Sequence, residues 1–143
     1  MEKTISTMWL TLIATEERKY APETLLESSE KIVEYELFLN EKSLTEEIGH
    51  IILCVCKAPN NNNVCLFHYE INSDFRRKGY CSEALVAVFE AMPKESVVFA
   101  DVVMVENEKS NPKASVQLLL KLGFEFLCAA GMFPLQLQYE KKL

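Results

Sequence analysis

The chain has 143 residues, of which 49% are apolar and 25% charged, values typical of one globular domain and unlike those of a disordered chain. Its 15 basic and 21 acidic residues give a formal net charge of −6, which excludes a general nucleic-acid-binding protein because phosphate affinity depends on Lys and Arg. No apolar segment approaches the roughly 18–20 residues that cross a bilayer, and no secretion signal is found. We therefore expect a cytoplasmic protein that binds neither nucleic acid nor a membrane.

The five cysteines are odd in number and lie mostly among apolar neighbours. This pattern predicts reduced thiols, as expected for a cytosolic protein, rather than a disulfide framework. Cys54 and Cys56 have no second pair of Cys or His residues at ligand spacing, so the sequence predicts no metal site.

The first half of the chain predicts four strands, because its apolar residues either alternate or run continuously. These strands are Met8–Ala14, Ile32–Asn40, Glu47–Lys57 and Val64–Ile71. The polar turn Pro59–Asn63 makes the last two a hairpin. Thr15–Glu30 is polar and predicted to be partly helical, with Pro22 interrupting any single helix.

The second half predicts two helices, Ser82–Met92 and Asn111–Leu122. In the second helix, Asn111 is the N-cap and Pro112 follows at the first helical position. Val97–Val105 is almost continuously apolar, which predicts a strand buried on both faces. Two final strands are predicted at Phe124–Cys128 and Leu135–Lys141. The chain is therefore of the α/β class, with a mixed sheet.

The segment between the fourth strand and the first of these helices carries the clearest chemical signal. Arg76, Arg77 and Lys78 precede Gly79, and a helix begins directly afterwards. Helix N-termini bind phosphate through unpaired N–H groups, and glycine lets the backbone approach the anion closely. The segment lacks the Walker and dinucleotide-binding motifs, so it predicts another kind of pyrophosphate site.

These residues resemble the acetyl-coenzyme A site of the GCN5-related N-acetyltransferases (GNAT). The resemblance rests on Tyr69-Glu70-Ile71, Arg76-x-x-Gly79-x-Cys81, Glu83-Ala84-Leu85 and the downstream Lys121-Leu122-Gly123-Phe124. The nearest likeness is to the branch that acetylates the N-termini of ribosomal proteins. It implies a mixed, mostly antiparallel central sheet flanked by helices, with two strands splayed around the coenzyme. It also implies a single domain, with residues 1–45 on the acceptor side, 46–126 as the coenzyme-binding core and 127–143 as C-terminal strands.

The resemblance also implies which residues bind acetyl-CoA. Main-chain N–H groups of the loop after the motif strand would hold the pyrophosphate, and N–H groups of the strand would stabilise the oxyanion. The implied cofactor-binding residues are Ile71, Arg76, Arg77, Lys78, Gly79, Tyr80, Cys81, Ser82, Asn111 and Ser115. Pantetheine would lie between Val64–Ile71 and Val97–Val105.

The catalytic residues are less closely defined, because Leu66 stands where relatives often carry a carboxylate that acts as general base. Glu70 and His68 are the nearest substitutes, and strand alternation predicts that both share the face of Leu66. Glu106 and a water relay are further alternatives.

The last helix leaves a second set of alternatives open. The resemblance places Ser115, eight residues before Gly123, at the family's small residue, where it is expected to protonate the leaving thiolate or to hydrogen-bond pantetheine. The general-acid tyrosine of other branches falls on Leu119. Either Asn111 or Asn107 fills the position of the family asparagine.

We therefore expect an N-acetyltransferase that moves acetyl from acetyl-CoA to a primary amine, on a small molecule or a protein N-terminus, by direct attack and without a metal. The protein would act as a monomer or homodimer. Leu66 and Leu119 keep open the alternative of a catalytically silent CoA-binding module with a sensing or assembly role. A third alternative is an adaptor that binds no ligand.

Overall fold

The computed structural model describes residues 3–15, 19–21, 29–41, 46–56, 63–107, 111–132 and 134–143. The helical part predicted within Thr15–Glu30 falls largely outside these ranges, as does most of the turn predicted at Pro59–Asn63. No helix of the described ranges has both the length and the apolar character needed to span a bilayer.

One mixed sheet of eight strands organises the described residues. Its strands are β1 (Thr4–Ser6), β2 (Leu10–Thr15), β3 (Ser29–Leu39), β4 (Gly49–Cys56), β5 (Asn63–Ile71), β6 (Val97–Val103), β7 (Glu125–Ala130) and β8 (Gln136–Lys142). Their order is β1-β2-β3-β4-β5-β6-β8-β7, and every neighbouring pair is antiparallel except β5 and β6. The mostly antiparallel mixed sheet is confirmed. Strand β1 was not predicted, because three residues are too few to show alternation.

Within the described ranges, two α-helices pack on one face of the sheet, where the main apolar core lies. They are α1 (Tyr80–Ala91) and α2 (Pro112–Lys121), and a short 3-10 turn, Ser73–Phe75, precedes α1. Helix α1 buries Leu85 and Val88 at helical spacing, and α2 buries Leu119 in the same core cluster. Because β5-α1-β6 and β6-α2-β7 both cross over on this face, α1 and α2 cover the same core.

The predicted helix boundaries follow from local chemistry. Asn111 Oδ1 accepts a hydrogen bond from the Ala114 N–H at 3.1 Å, and Pro112 occupies the first helical position. Gly123, with φ of +92°, follows the helix in the left-handed conformation that glycine favours. At the other helix, Met92 ends α1 immediately before Pro93.

Strand β6 corrects one expectation, because it is buried on one face rather than on both. Val98, Ala100 and Val102 are buried, whereas Asp101 and Val103 are exposed. Helix α2 contacts this strand from the core side. The continuous apolar run predicted burial on both faces, but Phe99 and the valines of the opposite face are only partly covered.

The parallel pairing of β5 with β6 is short, and this creates an opening in the sheet. The two strands pair from Asn63–Val97 to Leu66–Ala100, but β5 continues to Ile71 and β6 to Val103. Beyond Leu66 the two strands separate on the side where α1 begins. The predicted pair of splayed strands is confirmed.

A bulge in β5 at the start of this opening corrects a second expectation. Leu66 pairs with Leu53, but His68 pairs with Ile52, so Phe67 is one extra residue in the ladder. As a result Leu66 and Tyr69 both pack against the core on the helix side. His68 and Glu70 therefore lie on the other side, called here the far face, and the prediction that they share the face of Leu66 is wrong.

Candidate active site

A cleft of about 510 Å³ lies where the opening between β5 and β6 meets the N-terminus of α1 and one side of α2. Of the residues predicted to bind the coenzyme, all but Lys78 line this cleft. They are Ile71, Arg76, Arg77, Gly79, Tyr80, Cys81, Ser82, Asn111 and Ser115. His68 and Glu70 also reach its rim. Tertiary structure therefore brings the predicted loop, the predicted helix start and both candidate bases to one place.

The floor of the cleft includes the open N-terminus of α1. Gly79 is the N-cap residue, with φ of +79°, and no atom lies within 4 Å of the point where a Cβ would stand. The first helical hydrogen bond runs from the Glu83 N–H to the Gly79 carbonyl oxygen at 3.0 Å. The N–H groups of Tyr80, Cys81 and Ser82 precede that bond and have no acceptor within the helix. They form an anion-binding end with space left above it.

Arg77 contributes to the shape of this loop through its backbone. Its φ of +64° is unusual for a residue with a side chain, and it lies two positions before Gly79 in the same conformation. Such a backbone conformation costs about 1–3 kcal/mol and is retained mainly at binding and catalytic sites. Turns of this kind can form a concave surface of N–H groups that binds anions.

The Arg76 side chain fastens the loop to the end of β5. Its Nε donates to the Ile71 carbonyl oxygen at 2.7 Å, and its Nη2 lies 3.7 Å from Glu70 Oε1. Sequence reasoning assigned Arg76 to the pyrophosphate loop. The structure shows its guanidinium closing that loop onto the strand that carries Glu70.

The backbone of β5 directs two N–H groups into the opening. The Asn72 N–H donates to the Ile48 carbonyl oxygen at 2.7 Å, and hydrogen-bonded pairs alternate along an antiparallel ladder. Glu70 and His68 therefore direct their N–H groups toward β4. The N–H groups of Tyr69 and Ile71 point away from β4, into the gap between β5 and β6.

Tyr69 belongs to the sequence motif but was not among the predicted site residues, yet its side chain lies inside the cleft beside Ser115. Burial raises the pKa of Tyr69, and a hydrogen bond with the Ser115 side chain acts in the opposite direction. Leu119, at the position where other branches have a tyrosine, is fully buried in the core. A phenol thus does reach the cleft, but from β5 rather than from α2.

The remaining candidate residues are Cys81, Glu106 and Asn111. Burial raises the pKa of Cys81 to about 12, so its thiol stays protonated near neutral pH and is a poor nucleophile. Glu106 is exposed and does not line the cleft. Asn111 caps α2 and lines the cleft, which favours Asn111 over Asn107 for the asparagine position.

A cluster of imidazole and carboxylate groups lies on the far face of the sheet, beside the same opening. Glu70 Oε2 is 3.8 Å from Nε2 of His50 and 3.8 Å from Nε2 of His68. The two imidazole rings are 5.2 Å apart between centroids. His50 was not predicted, because only the pairing of β4 with β5 brings it beside His68 and Glu70.

Tyr20 and Glu47 both contact His50 and are hydrogen-bonded to each other. The Tyr20 ring stacks on the His50 ring at 3.7 Å, and its hydroxyl donates to the Glu47 carboxylate at 2.9 Å. Burial, followed by His68, lowers the pKa of His50, whereas Glu70 and Glu34 act to raise it. Burial, followed by the contact with Glu47, raises the pKa of Tyr20 to about 12.

A buried carboxylate holds Tyr20 in this place. Glu34 is 2% exposed and accepts hydrogen bonds from the backbone N–H groups of Lys19, Tyr20 and Ala21 at 2.9, 3.1 and 2.6 Å. Three donors of this kind satisfy a carboxylate that would otherwise be very unfavourable in the interior. Glu34 therefore fixes the backbone from which Tyr20 reaches His50.

Comparison with known proteins shows where this fold has been seen. No model of a known protein family matches the chain, and neither does any curated protein sequence. A protein from Bordetella pertussis described as a GNAT-family acetyltransferase is 14% identical, with a TM-score of 0.65 over 98% of this chain and 99% of that one. An acetyltransferase from Bacillus subtilis, solved in complex with CoA, is 12% identical, with a TM-score of 0.64 over 92% and 97%.

A third solved structure is the ribosomal-protein-S5-alanine acetyltransferase from Vibrio fischeri. It is 17% identical, with a TM-score of 0.61 over 78% of this chain and 61% of that one. At these identities the likeness establishes the fold alone. The chain has the fold of the GNAT acetyltransferases, as the sequence motifs predicted.

Proposed function

We propose that this protein is an N-acetyltransferase that moves the acetyl group of acetyl-CoA to a primary amine. One observation carries the proposal: the gap between β5 and β6 opens into the same cleft as the N-terminus of α1. A pyrophosphate and an extended thiol-bearing arm need these two features side by side. The residues present therefore fit acetyl-CoA.

The coenzyme would be held mainly by backbone groups. The N–H groups of Tyr80, Cys81 and Ser82 would bind the pyrophosphate, with Arg77 and Lys78 adding positive charge, and Asn111 and Ser115 would border the pantetheine arm. This binding leaves the thioester beside the part of β5 that no longer pairs with β6. There the N–H groups of Tyr69 and Ile71 are placed to bind the thioester oxygen as it becomes negative.

The amine must lose a proton to attack, because lysine-like amines have a pKa near 10.4 and are mostly charged at neutral pH. His68 and Glu70 are the candidate acceptors of that proton, since both lie at the rim of the cleft on its far-face side. Attack forms the new C–N bond, and collapse of the tetrahedral intermediate breaks the C–S bond. The amide product and the CoA thiolate then separate.

The departing thiolate needs a proton, and Ser115 with Tyr69 can supply one. The two side chains are hydrogen-bonded within the cleft, so the phenol can replace a proton that the hydroxyl gives up. No acyl-enzyme is required, since positioning and oxyanion stabilisation suffice for direct attack. Cys81 remains a thiol and takes no covalent part.

For the acceptor we propose an α-amino group or a small-molecule amine. The ribosomal-protein N-terminal branch is the finer form of this proposal, and its support is the motif set together with the likeness to the Vibrio fischeri enzyme. The amine would reach the thioester from the far face, where Glu47 and Glu70 provide negative charge that favours a cationic acceptor.

A catalytically silent CoA-binding module is the second candidate, and two buried residues favour it. Leu66 and Leu119 are 2% and 0% exposed, so neither of these family positions presents a polar group to the cleft. Both candidates predict coenzyme binding. Only turnover separates them, measured as CoA-dependent acetylation of N-terminal peptides and small amines by mass spectrometry.

The cofactor site is tested by a thermal-shift titration with acetyl-CoA on the parent chain and on Gly79→Glu. A ligand at about 100 times its Kd adds about 2.7 kcal/mol, which raises Tm by several degrees in a domain of this size. In Gly79→Glu, a carboxylate occupies the anion site and the shift should disappear. Lys94→Gln makes the same change of charge at an exposed position just beyond the C-terminal end of α1 and should keep the full shift. No shift in the parent chain at millimolar acetyl-CoA would contradict the proposal.

A further inference from the structure

The two histidines of the chain and one carboxylate form a group that the acetyl-transfer proposal does not fully use. The ligand atoms of His50, His68 and Glu70 all lie within 4.8 Å of one another. His50 comes from β4, whereas His68 and Glu70 come from β5, and the bulge at Phe67 turns both of the latter toward His50. Imidazole nitrogens and a carboxylate oxygen are the donor set that binds Zn²⁺ in three-ligand sites.

Two of these three groups, His50 and Glu70, have a further charged neighbour beside them. His50 Nδ1 lies 3.9 Å from Glu47 Oε1, so its Nε2 faces Glu70 and His68. Glu70 directs Oε1 to Arg76 and Oε2 to both imidazoles. Carboxylates behind a ligating histidine fix its ring orientation and strengthen it as a ligand.

We propose that His50, His68 and Glu70 form a binding site for Zn²⁺, with Glu47 and Arg76 as the residues that orient the ligands. The fourth coordination position would face solvent at the rim of the cleft. Imidazole ligands select Zn²⁺ over Mg²⁺ or Ca²⁺, which prefer oxygen. Glu47 and Glu70 supply two negative charges beside the ion, and Glu70 also faces the cation of Arg76.

The two distances from Glu70 are close to those that a bound ion needs, and the ligand atoms of the two histidines lie within 4.8 Å of each other. Tetrahedral ligands at about 2.0–2.1 Å from Zn²⁺ lie about 3.3 Å from each other, against the 3.8 Å from Glu70 Oε2 to each imidazole. The His68 and Glu70 side chains are 47% and 44% exposed, so they have room to rotate inward. His50 is buried under Tyr20 and provides the fixed ligand.

The position of the site gives it a regulatory consequence, which rests on the proposed acetyl transfer. His68 and Glu70 are the groups proposed to take the proton from the amine, and metal ligation would occupy both. Zn²⁺ would therefore inhibit acetylation without displacing acetyl-CoA. Metal binding itself can be measured whether or not the chain is a transferase, so the two proposals fail separately.

The test is a Co²⁺ titration of the untagged full chain, freed of metal with a chelator and read by visible absorption near neutral pH. Zn²⁺ is then added in competition. We expect one Co²⁺ per chain with the d–d bands of a nitrogen- and oxygen-ligated ion, displaced by Zn²⁺. His68→Gln and Glu70→Gln, both at half-exposed positions, should abolish the bands. Glu47→Gln should weaken affinity about 10- to 100-fold.

Glu125→Gln is the matched control, because it makes the same change on the exposed edge strand β7 and should bind Co²⁺ like the parent. His50→Gln is less informative on its own, since this buried position affects folding. Binding that survives both His68→Gln and Glu70→Gln would overturn the proposal. So would the intense thiolate charge-transfer bands of cysteine ligation, or the absence of one-to-one binding.

Discussion

At the scale of single residues, one polar side chain of the cleft comes from a different element than the family pattern predicts. Tyr69 follows the extra residue of the β5 bulge and so faces the helices, where it meets Ser115. Leu119, by contrast, fills the core beneath α2. The cleft therefore contains a phenol from β5, that of Tyr69, beside Ser115.

Tyr69→Phe should lower kcat about 100-fold, the effect expected for loss of a positioned proton donor, and should leave the Kd of acetyl-CoA nearly unchanged. Ser115→Ala should have a similar effect, and the double variant should lose little more because the two groups act in one pathway. Steady-state rates and thermal shifts measure these quantities. Tyr139→Phe removes a buried hydroxyl from β8 and is the control. Full activity in Tyr69→Phe would exclude Tyr69 as the donor.

At the scale of elements, local capping decides where α2 begins and therefore where Ser115 stands. The Asn111 side chain accepts the Ala114 N–H, and Pro112 supplies the first helical backbone angle. Ser115 then falls in the first turn, on the side that lines the cleft. An α2 that began elsewhere would turn Ser115 away from Tyr69.

Asn111→Ala should lower the free energy of unfolding by about 1 kcal/mol, since it removes the cap acceptor and leaves a backbone N–H unpaired. In a domain of this size, Tm should fall by about 3 °C. Thermal unfolding without coenzyme measures the change. Asn111→Asp keeps an acceptor at the helix N-terminus and should stay within about 1 °C of the parent. Equal losses in both variants would show that the cap does not stabilise α2.

At the scale of the whole molecule, the sheet consists of two antiparallel parts joined at four residue pairs. Strands β1 to β5 form one part, which α1 contacts, and β6, β8 and β7 form the other, which α2 contacts. The joint runs from Asn63–Val97 to Leu66–Ala100. The cleft lies beyond this joint, so a ligand in it would touch both parts of the molecule.

Acetyl-CoA should slow hydrogen exchange at the Tyr69 and Ile71 N–H groups, because both face the gap and would bind the coenzyme. The His68 N–H faces β4 and should be protected with or without coenzyme, which makes it an internal reference. Residue-resolved exchange by NMR measures the difference, with Gly79→Glu as a non-binding control. Unchanged exchange at Tyr69 and Ile71 under saturating acetyl-CoA would place the thioester elsewhere.

The sequence by itself determined the features that arise from neighbouring residues. Alternation, apolar runs and turns predicted seven of the eight strands that the described residues form. Capping chemistry predicted both ends of α2, and Arg76 to Ser82 marked the predicted anion-binding loop. These features depend on interactions over a few residues, such as helix caps and the conformational freedom of Gly79. The same segments carried the resemblance that predicted the fold.

Only the tertiary structure decided which side chains meet. One extra residue in β5 reverses the alternation after Phe67, so it brings Tyr69 to Ser115 and turns His68 and Glu70 toward His50. A bulge leaves little trace in a sequence, because it depends on the register between two strands rather than on either strand alone. The cluster on the far face exists because β4 and β5 pair in this one register.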